Sequence, residues 1–295
     1  YFGGTEDEQI KGVTTDGNDN IVVIGVTSSE EQFPIKNALR PSKNTTNWDV
    51  FLAKFSSDGQ ELVFSTFYGG SRPWGPGKII CDSNDYIIAA GETNSQGFPV
   101  VNAFQDQYGG GELDTFLAKL SPDGQQMSFS TFIGGSGSEG PIGLTIDSND
   151  NIFLAGSTGS YNFPVKNAFQ ATNNGWWNGY FLAMSNDGQD LLFSSYFGGS
   201  GNDYATSIAL IPGTNNMFIL GGHGSSTNLP LVNPYQDSYG GGDFDFFLCR
   251  FEYSGIDNTE SQTTPIFELT SISGLVIIYL LRKRNLREKD SQFKT

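Results

Sequence analysis

The chain has 295 residues, of which 38 are Gly and 24 are Phe, and it carries a net charge of −16. An acidic chain repels phosphate backbones, which excludes nucleic acid as a natural partner. Two cysteines make neither a disulfide framework nor a metal cluster, and Cys81 and Cys249, each in an apolar run, read as small buried hydrophobes.

In chain order, the first feature is Tyr1-Phe2-Gly3-Gly4, which returns within Leu62-Val-Phe-Ser-Thr-Phe-Tyr-Gly-Gly-Ser71, Met127-Ser-Phe-Ser-Thr-Phe-Ile-Gly-Gly-Ser136 and Leu191-Leu-Phe-Ser-Ser-Tyr-Phe-Gly-Gly-Ser200. The leading glycines Gly3, Gly69, Gly134 and Gly198 are 66, 65 and 64 residues apart. A fixed period of this length signals an array of like units. The four units run over about 1–66, 67–131, 132–195 and 196–255.

Each unit reads as four short strands. In the first, residues 9–15 lead into the polar turn Asp16-Gly-Asn-Asp-Asn20, and Ile21-Val-Val-Ile-Gly25 has the β-branched run of a strand buried on both faces. A long polar loop follows. Asp49-Val-Phe-Leu-Ala-Lys-Phe55 is a third strand, Ser57-Asp-Gly59 a tight turn, and residues 61–67 a fourth strand.

The same marks recur in the same order. The first turn returns as Asp82-Ser-Asn-Asp-Tyr86, Asp147-Ser-Asn-Asp-Asn151 and, degraded, Pro212-Gly-Thr-Asn-Asn216. Gly25, Gly91, Gly156 and Gly222 follow the second strand. Next come Phe33-Pro34, Phe98-Pro99, Phe163-Pro164 and Leu229-Pro230, then Asn37, Asn102, Asn167 and Asn233. The third strand carries Phe51-Leu-Ala-Lys54, Phe116-Leu-Ala-Lys119, Phe181-Leu-Ala-Met184 and Phe247-Leu-Cys-Arg250.

Four-stranded units that all look alike must pack against one another, which favours an all-β propeller of about four blades over a sandwich. The succession Tyr-Phe-Gly-Gly, Asp-x-x-x-Asn, Phe-Pro and Phe-Leu-Ala-Lys resembles the SBBP beta-propeller repeat family over residues 1 to about 255. That resemblance implies a fold and an extracytoplasmic setting rather than a reaction. The chain begins in the tail of a fourth strand and leaves the repeat after a third strand near Phe251-Glu-Tyr-Ser-Gly255. The expectation is therefore lost upstream sequence and a last blade completed by a strand from the native N-terminus.

Residues 256–265 are polar and read as a linker. Residues 266–281 are apolar but for Glu268 and three hydroxyl residues, and Arg282, Lys283 and Arg284 stop the run. Sixteen helical residues at roughly 1.5 Å each reach about 24 Å, and snorkelling basic side chains close much of the gap to a ~30 Å hydrocarbon core. The expectation is a single transmembrane helix over 266–281 with a basic cytoplasmic tail over 282–295 and the propeller outside. The segment around Thr264-Pro-Ile-Phe-Glu-Leu269 is similar to the C-terminal sorting signals of archaeal surface proteins, with Ile where those have Gly, and a retained anchor is expected. Asn44-Thr-Thr46 is a glycosylation sequon consistent with an outside location.

Chemistry-bearing residues are sparse. His223 is the one histidine, at a position held by Val26, Glu92 and Ser157 in the other units, so neither a hydrolase triad nor a zinc site is expected. The Asx turns place Asp16, Asn18, Asn20, Asp82, Asn84, Asp147, Asn149 and Asn151 in short oxygen-rich loops. These suit either calcium or self-hydrogen-bonded turns. Trp48, Tyr108, Trp176, Trp177 and Tyr239 lie in the long loops and suit sugar rings or a protein partner, or else cap neighbouring blades. Glu6-Asp-Glu8, Glu139 and Asp203 follow the Gly-Gly pairs and read as the rim of one mouth. The function expected is a non-catalytic surface binding, adhesion or structural module without a cofactor. The alternative is an extracellular polymer-degrading enzyme using the mouth acids.

Overall fold

The computed structural model describes residues 1–43, 48–70, 77–95, 97–214, 217–253 and 267–271. They form sixteen strands: β1 (Glu8–Thr15), β2 (Ile21–Thr27), β3 (Asp49–Phe55), β4 (Leu62–Gly70), β5 (Gly77–Cys81), β6 (Ile87–Thr93), β7 (Asp114–Leu120), β8 (Met127–Ile133), β9 (Glu139–Ile146), β10 (Ile152–Thr158), β11 (Asn178–Met184), β12 (Leu191–Phe197), β13 (Asp203–Leu210), β14 (Met217–Gly224), β15 (Asp245–Tyr253) and β16 (Phe267–Ser271). They pair in chain order into four antiparallel four-stranded sheets. The first strands β1, β5, β9 and β13 lie side by side, so the sheets follow one another as the repeats do.

Local chemistry sets the hairpins. Asp16 accepts the backbone N–H groups of Asn18 and Asn20, both at 2.9 Å, and Asp82 and Asp147 do the same in the second and third sheets. Within each of these turns an Asp takes the left-handed conformation: Asp19, Asp85 and Asp150, with φ between 59° and 63°. The repeated Asn37, Asn102, Asn167 and Asn233 are left-handed too, a conformation that Asn tolerates better than most residues. The turn between third and fourth strands needs glycine for two reasons. Gly124 has φ +70°, and a Cβ there would lie 2.7 Å from the Phe64 ring of the preceding sheet.

Apolar faces between successive sheets supply the core. Val22, Ile24, Val26 and Leu52 of the first sheet meet Ile87, Ala89, Phe116 and Ala118 of the second. Equivalent layers join the second to the third sheet and the third to the fourth. Burial of this kind is worth roughly 25 cal/mol per Å² of apolar surface. Polar latches cross the same junctions: Tyr68 donates to Ser130 at 2.7 Å, and the Thr115 and Tyr180 hydroxyls are 3.0 Å apart.

The third sheet corrects the expected alignment. Gly25 pairs with Phe51, Gly91 with Phe116 and Gly222 with Phe247, but Gly156 pairs with Tyr180 rather than Phe181. The shared Phe-Leu-Ala string is displaced by one residue in this unit. Because strand side chains alternate, Phe181 turns toward the fourth sheet while Tyr180 takes the Phe51 position facing the second.

A second correction concerns the last sheet. Its fourth strand is β16, with Phe267 opposite Tyr253 and Ser271 opposite Cys249. An N-terminal strand does not complete it. Phe2 instead packs against Phe33, Phe51 and Phe55 of the first sheet, as Tyr68 packs against Phe98 and Phe116 of the second. The helix expected over 266–281 is therefore strand over Phe267–Ser271. That segment alternates apolar and polar residues, the period of a strand. No helix among the described residues is long and apolar enough to cross a membrane. The linker over 256–265, residues 272–281, the Arg282, Lys283 and Arg284 cluster with the tail to 295, and the Asn44 sequon lie outside the described residues.

Candidate functional site

Between the first and second sheets the row formed by β2 and β3 holds Val26 and Val50, both buried under the second sheet. The equivalent row of the second sheet holds Glu92 and Thr115, and that of the third holds Ser157 and Gly179. Gly179 leaves so little room that a Cβ there would lie 3.1 Å from Ala205 of the fourth sheet.

The fourth sheet departs from this pattern. Tyr204 of β13 pairs with His223 of β14, which pairs with Phe246 of β15, so three aromatic rings line one face in register. The opposite face, with Phe247, Cys249 and Phe251, packs on the third sheet. Phe246 is 80 % exposed, and Phe244 and Leu248 are each 47 % exposed.

The rings are mutually organised. Tyr204 stacks on His223 with centroids 5.1 Å apart and planes 30° from parallel, and Phe244 meets both edge-on at 6.0 and 5.1 Å. Trp177, just before β11, also stacks on Tyr204, with centroids 6.1 Å apart. Burial and the neighbouring Asp203 carboxylate push the Tyr204 phenol above its usual range, so it stays a hydrogen-bond donor. A platform of packed aromatic faces with hydroxyl and imidazole edges offers stacking area at little conformational cost.

The expected site residues fall in several places. Trp177 joins the platform, and Trp176 beside it is 81 % exposed. Trp48 and Tyr108 instead pack against the core between the first two sheets, with Tyr108 edge-on to Phe132. Tyr239 is half-buried in the loop before β15, where its hydroxyl donates to the Gly242 carbonyl at 2.7 Å. His223, set aside on sequence grounds as an isolated histidine, sits at the centre of the platform. Its row was illegible because the aromatic residues come from three strands and no one segment of the chain shows them together.

The oxygen-rich turns are occupied by the protein's own donors. Besides two backbone N–H groups, Asp16 takes the Asn20 side-chain amide at 2.9 Å and the Lys54 ammonium at 2.6 Å. Burial works against its ionisation, yet Lys54 and these amides hold its carboxyl down to about 2. Lys119 pairs with Asp82 at 2.7 Å in the same way. In the third sheet Ala183 stands at the lysine position, and Asp147 has the Asn149 and Asn151 amides. Asn18, Asn84 and Asn149 each give a backbone N–H to that aspartate. Among the described residues no three His, Cys, Asp or Glu side chains converge as metal ligands. An open groove of about 440 Å³ separates the first turns of the third and fourth sheets, lined by Asp147, Ser148, Leu210, Pro212 and Thr214.

The acids following the Gly-Gly pairs also take structural places. Glu139 and Asp203 are buried, while Glu6 and Asp7 are exposed and Glu8 is half-buried. Glu8, Glu139 and Asp203 each accept the N–H of the second glycine of the preceding pair, from Gly4, Gly135 and Gly199. They fasten each chain crossover to the next sheet. Cys249 is buried and Cys81 half-buried, and burial raises both thiols, to about 12 and about 11.

Comparison with known proteins gives a family match and two distant folds. The chain superposes on a Hadza microbial sialidase, Hz136, with TM-score 0.40 and 9 % identity over 73 % of this chain and 42 % of that one. It superposes on a protein of unknown function from Dyadobacter fermentans with TM-score 0.43 and 13 % identity over 92 % of this chain and 70 % of that one. The chain thus spans less than half the length of the sialidase. No curated protein matches it in sequence. Residues 129–164, from β8 through the Gly-Gly crossover and β9–β10 to Phe163-Pro164, match the family model of the SBBP beta-propeller repeat.

Proposed function

We propose that the four sheets are propeller-type blades displayed outside the cell, that the outer face of the fourth, which a closed ring would cover, stays open, and that the protein is a non-catalytic surface module that binds glycan through this aromatic face. The observation that carries this reading is the row Tyr204, His223 and Phe246, large and open where the other sheets hold Val26 and Val50, Glu92 and Thr115, or Ser157 and Gly179. Sugar rings present flat C–H faces that match stacked aromatic planes, and the ring edges supply donors for hydroxyl groups. Exposed Ser207 and Ala209 continue the face along β13 without steric obstruction.

The enzyme alternative gains no support from the mouth acids, since Glu139 and Asp203 are buried and engaged by backbone N–H groups. Membrane attachment stays part of the proposal through the apolar residues 272–281 and the basic cluster after them. Phe267–Ser271 cannot serve β16 and a membrane helix at the same time, and the residues 272–281 alone would reach only about 15 Å as a helix against a ~30 Å hydrocarbon core, so a spanning helix over 266–281 requires β16 to leave the fourth sheet.

A glycan array probed with the full chain tests the binding reading. Binding to one polysaccharide class, weakened by about two- to tenfold on Tyr204→Ala or Phe246→Ala without a change in folding, is the expected result. A blank array, or an affinity unchanged by both substitutions, overturns it. Cell fractionation of the expressed full chain, with recovery in carbonate-washed membranes, tests the anchor separately.

A further inference from the structure

We propose that Asp114 and Glu139 share a single proton across the junction between the second and third sheets, so that this junction is tightened by acid and loosened by alkali.

The geometry is set by Gly134 in the crossover between β8 and β9. A side chain's first carbon on Gly134 would lie 2.6 Å from Asp114 Cγ, 2.8 Å from Asp114 Oδ1 and 2.6 Å from Glu139 Oε2. Asp114 Oδ1 and Glu139 Oε2 therefore both border the small space beside Gly134, no more than about 5.4 Å apart (2.8 plus 2.6 Å), and both side chains are buried. Three of the four oxygens have donors. Glu139 Oε1 accepts the hydroxyls of Thr158 and Ser160 at 2.6 and 2.5 Å, Glu139 Oε2 accepts Gly135 N–H at 2.9 Å, and Asp114 Oδ2 accepts Gly109 N–H at 2.6 Å. Asp114 Oδ1 is buried with no hydrogen-bond partner. A buried polar atom without a partner is expensive, and a proton on Oδ1 directed at Glu139 removes the deficit.

The next junction shows what replaces the proton. Asn178 stands where Asp114 stands and Asp203 where Glu139 stands, with Gly198 in the place of Gly134. A Cβ on Gly198 would run into the Asn178 amide nitrogen and lie 2.9 Å from Asp203 Oδ2. An amide brings its own hydrogens, so that junction needs no proton. A cation is a poor substitute at Asp114, because the oxygens of Glu139 are already given to three donors and one free oxygen does not make a coordination shell.

Among the described residues, the titratable groups facing the pair do not neutralise it. Glu92 of β6 approaches Gly140, next to Glu139, and its charge and that of Glu139 act on the phenol of Tyr180 in β11. Tyr196 of β12 also feels Glu139, and Glu112 lies on the loop entering β7. All are acidic or phenolic. Burial, and then the Glu139 charge, push Asp114 up to about 7, and burial raises Glu139 as well. A carboxyl raised on folding binds more protons folded than unfolded. Its contribution is complete below about pH 4 and is lost as pH rises through about 7.

The test is the melting temperature of the full chain from pH 5 to 8, for the wild type, Asp114→Asn and Asn178→Asp, together with the carboxyl carbon resonance of Asp114. The expected results are a wild-type slope steeper than that of Asp114→Asn by about one proton, and an Asp114→Asn variant more stable than wild type at pH 8. Asn178→Asp should acquire an additional slope, and the Asp114 resonance should titrate near neutrality. An Asp114 resonance titrating near 4, or an Asp114→Asn slope equal to that of the wild type, overturns the proposal. Neither of those readouts depends on Asn178→Asp folding.

Discussion

Lys54 reaches back 2.6 Å to Asp16 of its own sheet while donating to the Pro122 carbonyl of the next at 3.0 Å. One buried ammonium thus closes a turn and a junction together. Lys119 repeats the arrangement with Asp82 and the Asn186 carbonyl. Removing one member of such a pair leaves an uncompensated buried charge, so Lys119→Ala is expected to destabilise the fold by about 3 kcal/mol, read by chemical denaturation. Ala183 fills this position in the third sheet, buried in the aromatic core, so Ala183→Ser buries a hydroxyl there and should cost roughly 1–3 kcal/mol.

The same pairing fixes a response to acid. Asp16 is held below its unfolded value of 3.8, so its contribution is present above about pH 4 and disappears as pH falls toward 2. Lys54→Met removes the attraction that opposes burial. The acid-unfolding midpoint should then move to higher pH, followed by the near-ultraviolet signal of the tryptophans.

Gly59 and Gly124 occupy equivalent turns with the same φ of +70°, but a Cβ on Gly59 would meet nothing within 4 Å. Gly59→Ala should therefore carry only conformational strain, about 1 kcal/mol. Gly124→Ala adds a clash with the Phe64 ring and should reach roughly 2–4 kcal/mol. Equal losses for the two variants would rule out packing of the turn on Phe64.

Strand β16 predicts a different pair of outcomes. Leu269 lies opposite Phe251, and Leu269→Pro puts a residue without an N–H into the outer ladder of the fourth sheet. The expected effect is faster hydrogen exchange confined to β15, with the first three sheets unchanged. Unaltered exchange in β15 would remove β16 from the fold.

At the aromatic face, stacked pairs are worth about 0.5–1.5 kcal/mol beyond their area. Phe246→Ala should lower glycan affinity by about two- to tenfold in a titration, while leaving the melting temperature close to that of the wild type.

The parts of this structure legible in the sequence are those written into contiguous segments. The Asx turns, the Asp-Gly hairpin and the Phe-Pro marks act within a few residues of themselves, and strands appear where those signals place them. What escaped depends on partners outside the segment, from 18 residues away between Phe251 and Leu269 to 38 between Asp16 and Lys54. Asp16 and its relatives looked like cation ligands because Lys54, which fills one of them, is remote in sequence. Phe181-Leu-Ala matched Phe51-Leu-Ala as a string although Tyr180 holds the structural position, since identity of letters carries no information about which face a residue takes. Phe267–Ser271 read as the start of an apolar helix because its short alternation of apolar and polar residues runs directly into the apolar residues 272–281.

The large rings at Tyr204 and Phe246 set a condition on any sheet that covers this face. At the preceding junction Ala205 lies close against Gly179, whereas a strand laid on the fourth sheet would meet Phe246 at the same place, so a covering sheet needs a recess that the interior junctions do not.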